Sequence, residues 1–205
     1  MTTYLVIVTV IISFIALNND EIMGKLIFNP YQIQHRRQWY RFITSGFIHA
    51  DWMHLIINML VLFSFGKAVE YYYDDAFGLR STYYFLLLYF GGLLISVTSS
   101  FAKHKNNPGY NALGASGAVS AVTFAAIMFN PMSKIYIWGI IGLPGIVLGV
   151  VYIGYSWYMG KKGGGDVNHD AHLWGAVYGA LFTVLLKPTI LIHFFEQITN
   201  FNSAI

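Results

Sequence analysis

Cysteine is absent from the 205 residues. That excludes disulfide scaffolds, thiolate metal sites and cysteine nucleophiles, and leaves Ser, His, Asp, Asn or the backbone to carry any chemistry. Charge is almost as scarce, with Asp, Glu, Lys and Arg making up 10% of the chain against about 25% in ordinary soluble domains. The 12 Lys and Arg leave a formal net charge of +3 but form no dense patch. This argues against a nucleic-acid partner and suits contact with anionic membrane lipids. No internal repeat and no low-complexity tail is visible. What fills the chain instead is 56% hydrophobic residues, 18% aromatics and 20 glycines, with a mean hydropathy of +0.54. Helices that cross a bilayer have this composition.

Six apolar stretches emerge, judged against the roughly 20 residues that cross about 30 Å of hydrocarbon. They run from about Tyr4 to Leu17, Trp52 to Ala68, Thr82 to Phe101, Gly114 to Phe129, Ile135 to Tyr155 and Ala171 to Leu186. The first lacks the basic flank and small-residue cleavage site of a signal peptide and is retained as a span. The expected fold is therefore an all-α membrane protein, a six-transmembrane-helix bundle forming a single domain over residues 1–205. Glu70, Tyr71 to Tyr73, Asp74 and Asp75 read as the membrane boundary after the second span. The fourth span, built mostly of Gly, Ala, Ser, Val and Thr, is expected at the centre of the bundle, because small residues let backbones approach closely. The fifth, with five glycines from Gly139 to Gly154 and Pro144, is expected to be loosely packed.

The fourth and sixth stretches are short, and each opens on a residue that a lipid-facing helix avoids. Ser116 to Asn130 and His172 to Leu186 each hold 15 residues, about 22 Å of helix. If both end at one face, Ser116 and His172 lie at a common depth, roughly 8 Å inside a 30 Å hydrocarbon layer. Ser116, Ser120 and Thr123 share one side of their helix, as do His172, Gly175 and Gly179. The Gly175-to-Gly179 spacing lets the sixth helix press against the fourth, bringing an imidazole base beside a hydroxyl nucleophile. On the second helix His54 and Asn58 point the same way, and Asn58 is placed to donate its amide to a developing oxyanion, together with the Ser116 N–H.

These residues resemble a family. Gly114-Ala115-Ser116-Gly117 is similar to the GxSG nucleophile motif of rhomboid intramembrane serine proteases, and Ala171-His172 through Gly175 to Gly179 to their AHxxGxxxG helix. His54 to Asn58 matches HxxxN, and Trp39-Tyr40-Arg41 through Phe47-Ile48-His49-Ala50 is similar to the loop before it. The resemblance spans about residues 39–186. It implies a six-helix core that cleaves transmembrane protein substrates with a Ser/His dyad and no cofactor. Ser116 is then the nucleophile and His172 the base, while Asn58 and His54, with Gly114 of the GxSG loop, form the oxyanion and substrate-binding side. Two positions depart from the pattern. Ser120 stands where an aromatic residue often packs on the catalytic imidazole, so support for His172 must come from elsewhere, and the WR pair of the loop is interrupted by Tyr40.

Other readings of the same residues are a non-proteolytic rhomboid-like protein that binds membrane clients, and a transporter with a polar cavity. Missing repeat symmetry speaks against the transporter. No metal is expected, because neither His49, Asp51 and His54 nor Asp166, His169, Asp170 and His172 shows a recognised zinc spacing. His35, His49, His104 and His193 read as surface or interfacial residues, and Arg41 as a loop organiser or headgroup contact. The glycine-rich fifth helix and Gly163-Gly164-Gly165 are expected to move for access. Lys and Arg number eight on the face of the motif-bearing helix starts and four on the other, which places that face toward the cytoplasm. The resemblance favours the outside instead, and a bacterial inner membrane or plasma membrane as the location.

Overall fold

The computed structural model describes residues 1–137, 140–162 and 167–200. In chain order it holds α1 (Thr2–Leu17), α2 (Asp20–Leu26), α3 (Pro30–Arg36), α4 (Arg41–Thr44), α5 (Trp52–Phe77), α6 (Ser81–Ser96), α7 (Thr98–His104) and α8 (Ser116–Phe129). A two-stranded antiparallel ribbon follows, β1 (Lys134–Ile137) with β2 (Ile141–Pro144), then α9 (Gly145–Lys162), α10 (His169–Leu186) and α11 (Ile190–Asn200). Four of the helix starts are fixed by short polar side chains. Asn19, Asn29, Asp51 and Asn168 each accept a hydrogen bond from the N–H three residues on, at 3.0, 2.9, 2.7 and 3.1 Å. Each bond satisfies a donor that the first turn of a helix leaves open.

The longer helices lie over the six apolar stretches, with three changes. α5 does not stop at Ala68 but runs on to Phe77, because the Glu70-to-Asp75 run is compatible with helix and Val69 and Tyr73 are buried against the bundle. The third stretch is broken at Val97 into α6 and α7. The fifth does not begin as helix at Ile135. Lys134–Ile137 and Ile141–Pro144 form the ribbon, with Gly142 under the Tyr136 ring, and Pro144, which lacks an N–H, marks where the strand ends and α9 starts. By length and apolarity the run Trp52–His104 qualifies as a membrane crossing, and α10 with α11 qualifies only as a pair bent by 111°. Those criteria alone single out fewer crossings than six.

α8 sits in the middle. Of its 14 residues 11 are buried and none is exposed. It packs on α5, α6 and α10, and Leu62, Leu88, Tyr89, Ala118, Ala121 and Val122 share the surrounding core. Apolar side chains also cover the outer surface, among them Ile11 and Phe14 on α1, Leu60 and Phe63 on α5, and Leu181 and Leu185 on α10. An apolar exterior of this extent suits hydrocarbon rather than water. α9 differs from α8 in its seating. Only Gly145, Gly149 and Ser156 are buried on it, whereas Val150, Val151, Tyr155, Trp157 and Tyr158 face outward.

Candidate active site

Ser116 is the first residue of α8, and the loop that delivers it is stitched to the segment before α5. Phe28 and Ala112 exchange backbone hydrogen bonds at 2.9 and 3.0 Å, and the Gly114 N–H donates to the Ser45 carbonyl at 2.9 Å. Gly114 has φ +112°, where a side chain is strained, and a Cβ there would meet His54 Cε1 at 2.8 Å. Arg41 holds the preceding loop together. It is 5% exposed, and its guanidinium donates to the carbonyls of Gly24 and Ile27 at 2.8 and 2.6 Å and to Gln38 Oε1 at 2.6 Å. Arg41→Lys removes the planar fork that reaches all three acceptors. It is expected to lower stability by about 1.5–3 kcal/mol in a detergent unfolding titration, the worth of charged hydrogen bonds lost from a buried site.

His49 departs from the expectation of a surface histidine, since it is fully buried. The Ser13 hydroxyl of α1 donates to the Phe47 carbonyl at 2.9 Å, so His49 Nδ1–H donates to Ser13 Oγ at 2.9 Å and Nε2 accepts from the Ala115 N–H at 3.4 Å. Burial pulls the His49 imidazole down to about 3, with nearby His54 adding to the shift and Asp51 opposing it, which keeps the ring neutral for this role. The contact ties α1 to the residue preceding Ser116.

The two helix starts meet as their spacing implies. His172 Nε2 lies 2.8 Å from Ser116 Oγ. The close approach comes from glycine, because a Cβ on Gly175 would be driven into the Gly117 carbonyl and one on Gly179 into the Ala121 carbonyl. The helix contact thus runs along Gly117 and Ala121, and Ser120 turns instead toward α9. There Ser120 Oγ donates to the Ser116 carbonyl at 2.8 Å and pairs with the Tyr152 hydroxyl at 2.5 Å. The Tyr152 ring lies nearly parallel to the His172 imidazole, centroids 6.0 Å apart and 17° between planes. Tyr152 had no place in the sequence reading, although Ser120 in place of an aromatic signalled that something had to fill this side of His172.

His54 stands beside Gly114, with His49 against its ring. Its Nδ1 accepts from the Ala50 N–H at 3.4 Å, so the proton of the neutral ring belongs on Nε2, the nitrogen nearer Gly114. Asn58 is buried and donates to the His54 carbonyl of its own helix at 2.9 Å, which occupies one amide proton and leaves the other. α8 opens without a side-chain cap, and its first two residues, Ser116 and Gly117, line a narrow cleft together with Ser45, Ser96, Gly114 and Asn168.

The acidic residues nearby have other engagements. Asp170 pairs with Lys103 of α7, and Asp51 caps α5. Among the described residues no group of three or more His, Cys, Asp or Glu is arranged to hold a metal ion. Asp166 of the second candidate cluster lies outside the described residues, as do Gly163, Gly164 and Gly165.

Comparison with known proteins gives a single direction. The family model described as Rhomboid domain matches residues 36–189. The chain is 30% identical over 157 residues to "RHOMBOID-like protein 12, mitochondrial" of Arabidopsis thaliana, covering 68% of this chain and 44% of that protein. It is 32% identical over 165 residues to "Rhomboid-like protein 11, chloroplastic" of the same plant, covering 73% and 53%. To "Rhomboid protease GluP" of Bacillus subtilis (strain 168) it is 28% identical over 142 residues, covering 69% and 25%. The chain spans about half the length of the two plant relatives. Their names divide among mitochondrion, chloroplast and a bacterium, so they point to no single kind of membrane.

Proposed function

Since this chain belongs to the rhomboid family, whose members are membrane proteins, we propose that it is a serine endopeptidase of the membrane that cuts other membrane proteins within or beside their transmembrane segments. α1, α5, α6, α8, α9 and α10 are then six crossings, with membrane lipids as their surroundings. The observation that carries the reading is the 2.8 Å contact between Ser116 Oγ, at the first residue of the short α8, and His172 Nε2, in the first turn of α10. At 14 residues α8 reaches only about 21 Å, so its first residue sits below the surface of a 30 Å layer.

In the reaction Ser116 Oγ attacks the scissile carbonyl carbon while its proton passes to His172 Nε2. The tetrahedral adduct collapses as the C–N bond breaks, the imidazolium returns that proton to the leaving amine, and the acyl group stays on Ser116. Water, deprotonated by His172, then attacks the ester, releases the carboxylate and restores the serine. The oxyanion is received by the uncapped N–H groups at the start of α8, where the helix dipole is positive, and by His54 Nε2–H beside Gly114. Asn58 serves mainly by bonding the turn that holds His54. Accordingly His54→Ala is expected to lower kcat by about 10² to 10³, with Asn58→Ala costing less, as read from steady-state cleavage of a model transmembrane substrate. Equal losses would move the donor role back to Asn58.

Reaction of the purified chain with a fluorophosphonate, followed by peptide mass spectrometry, tests the proposal. An adduct on Ser116 is expected. Its absence, with binding of membrane proteins retained, would identify a client-binding relative that does not cut. Labelling abolished by chelation would point to a metal.

A further inference from the structure

We propose that Tyr152 is the positioning residue of His172, so that the base is aligned from α9 and not from the helix that carries the nucleophile. The inference rests on the protease reading above. Among the described residues no carboxylate is hydrogen-bonded to the His172 ring, which leaves its orientation to Ser116 and to packing. Two rings supply the packing. His169 meets the imidazole edge-on at 5.9 Å, and Tyr152 lies along its face at 6.0 Å.

Tyr152 is itself held at both ends. Ser120 uses its single hydroxyl proton on the Ser116 carbonyl, so the Tyr152 O–H donates to Ser120 Oγ. Its ring also packs against Phe124 of α8, centroids 5.9 Å apart. A closed circuit results, from the backbone of the nucleophile through Ser120 and Tyr152 to the base and back to the nucleophile's hydroxyl. An offset, nearly parallel ring on one side resists rotation of the imidazole about its Cβ–Cγ bond, and alignment within about 1 Å is what general-base transfer requires.

The helix that brings Tyr152 has the fewest buried residues of the six longer helices. α9 meets the bundle along Gly145, Gly149, Tyr152 and Ser156, positions at helical spacing, three of them without a bulky side chain. Tyr152 is thus the large side chain among these four positions. A shift of α9 away from α8 withdraws the ring from His172, so the seating of α9 and the competence of the base go together.

The test uses the full chain in detergent and reads two quantities, the rate of fluorophosphonate labelling of Ser116 and the split of kcat against KM for a model transmembrane substrate. Tyr152→Leu is expected to lower labelling and kcat together by about 10- to 100-fold while KM stays within about twofold. Tyr152→Phe and Ser120→Ala both break the Ser120–Tyr152 hydrogen bond, and Ser120→Ala also removes the bond to the Ser116 carbonyl, so both are expected to cause smaller losses, Ser120→Ala the larger, that are less than additive in the double variant. Ser120→Phe placed on Tyr152→Leu returns a ring to the vacated space and is expected to restore most of the rate, which a general loss of folding would not allow. Tyr152→Leu labelling at the wild-type rate, or a loss confined to KM, overturns the positioning role and leaves the protease standing. A wild-type chain that neither labels nor cleaves overturns both.

Discussion

Ser116→Ala is expected to abolish cleavage of a transmembrane substrate by the detergent-purified chain, lowering kcat by at least about 10⁴-fold, and to remove fluorophosphonate labelling altogether. The size follows from what the hydroxyl does. Without Oγ no acyl-enzyme forms, and the only catalysis left is the oxyanion donors acting on attack by water, which in serine hydrolases is a small remainder of the whole. His172→Ala is expected to come close to the same floor, because Ser116 Oγ is 2.8 Å from Nε2 and has its Oγ proton accepted there. The two groups act as one unit, so the double variant should be no slower than Ser116→Ala alone. Initial rates with one substrate at saturating concentration decide the matter. Cleavage by Ser116→Ala at the wild-type rate would refute the mechanism, and additive losses in the double variant would show that serine and histidine work independently.

The second large effect is expected from a change that touches neither group. Gly175→Val puts a branched side chain where a Cβ would already collide with the Gly117 carbonyl, and Gly179→Val does the same at the Ala121 carbonyl. Backbone oxygens cannot rotate away, so α10 must move off α8. Overpacking of this kind costs about 1–3 kcal/mol of stability. The displacement also lengthens the Ser116–His172 contact, and a misplacement of about 1 Å lowers rates by roughly 10². Both variants are therefore expected to unfold earlier and, at temperatures where they remain folded, to label at Ser116 at least about 100-fold more slowly. Gly154→Ala is the matched control. Nothing lies within 4 Å of a Cβ at that position in α9, so alanine is expected to leave the rate unchanged and to favour helix slightly. Wild-type labelling by Gly175→Val would show that the helix contact does not set the dyad distance.

Why Ser116 and His172 stood out in the sequence, and Tyr152 and His49 did not, comes down to the range of the forces that place them. Ser116 and His172 sit in the first turns of helices whose partner surface is encoded locally, by Gly175 and Gly179 on one side and an Ala-rich, Ser-rich face on the other. Tyr152 reaches its site only because α9 folds back against α8, 32 residues away from Ser120. In a helix carrying several other aromatics nothing local marks it. His49 is buried by a serine 36 residues earlier, and a histidine in a polar loop otherwise reads as exposed. The ribbon before α9 was hidden for a different reason. Its Ile-Tyr-Ile and Gly-rich run is apolar enough to extend the fifth stretch, and Pro144 was the one residue to argue against a continuous helix. Asn58 lies between the two cases. Its placement beside His54 follows from the i, i+4 spacing, but its bond to its own backbone carbonyl is a choice that sequence spacing does not rank.

No residue of α8 is exposed, so the helix carrying Ser116 is walled off from hydrocarbon by its neighbours. Acyl-chain length, sterol content and fluidity can therefore act on the nucleophile only indirectly, through helices that do touch lipid. α9 is one of them, with half of its residues exposed and only three buried. A bilayer that is too thick or too stiff for α9 would then be felt at the dyad as a change in turnover, with the geometry of α8 itself unaltered.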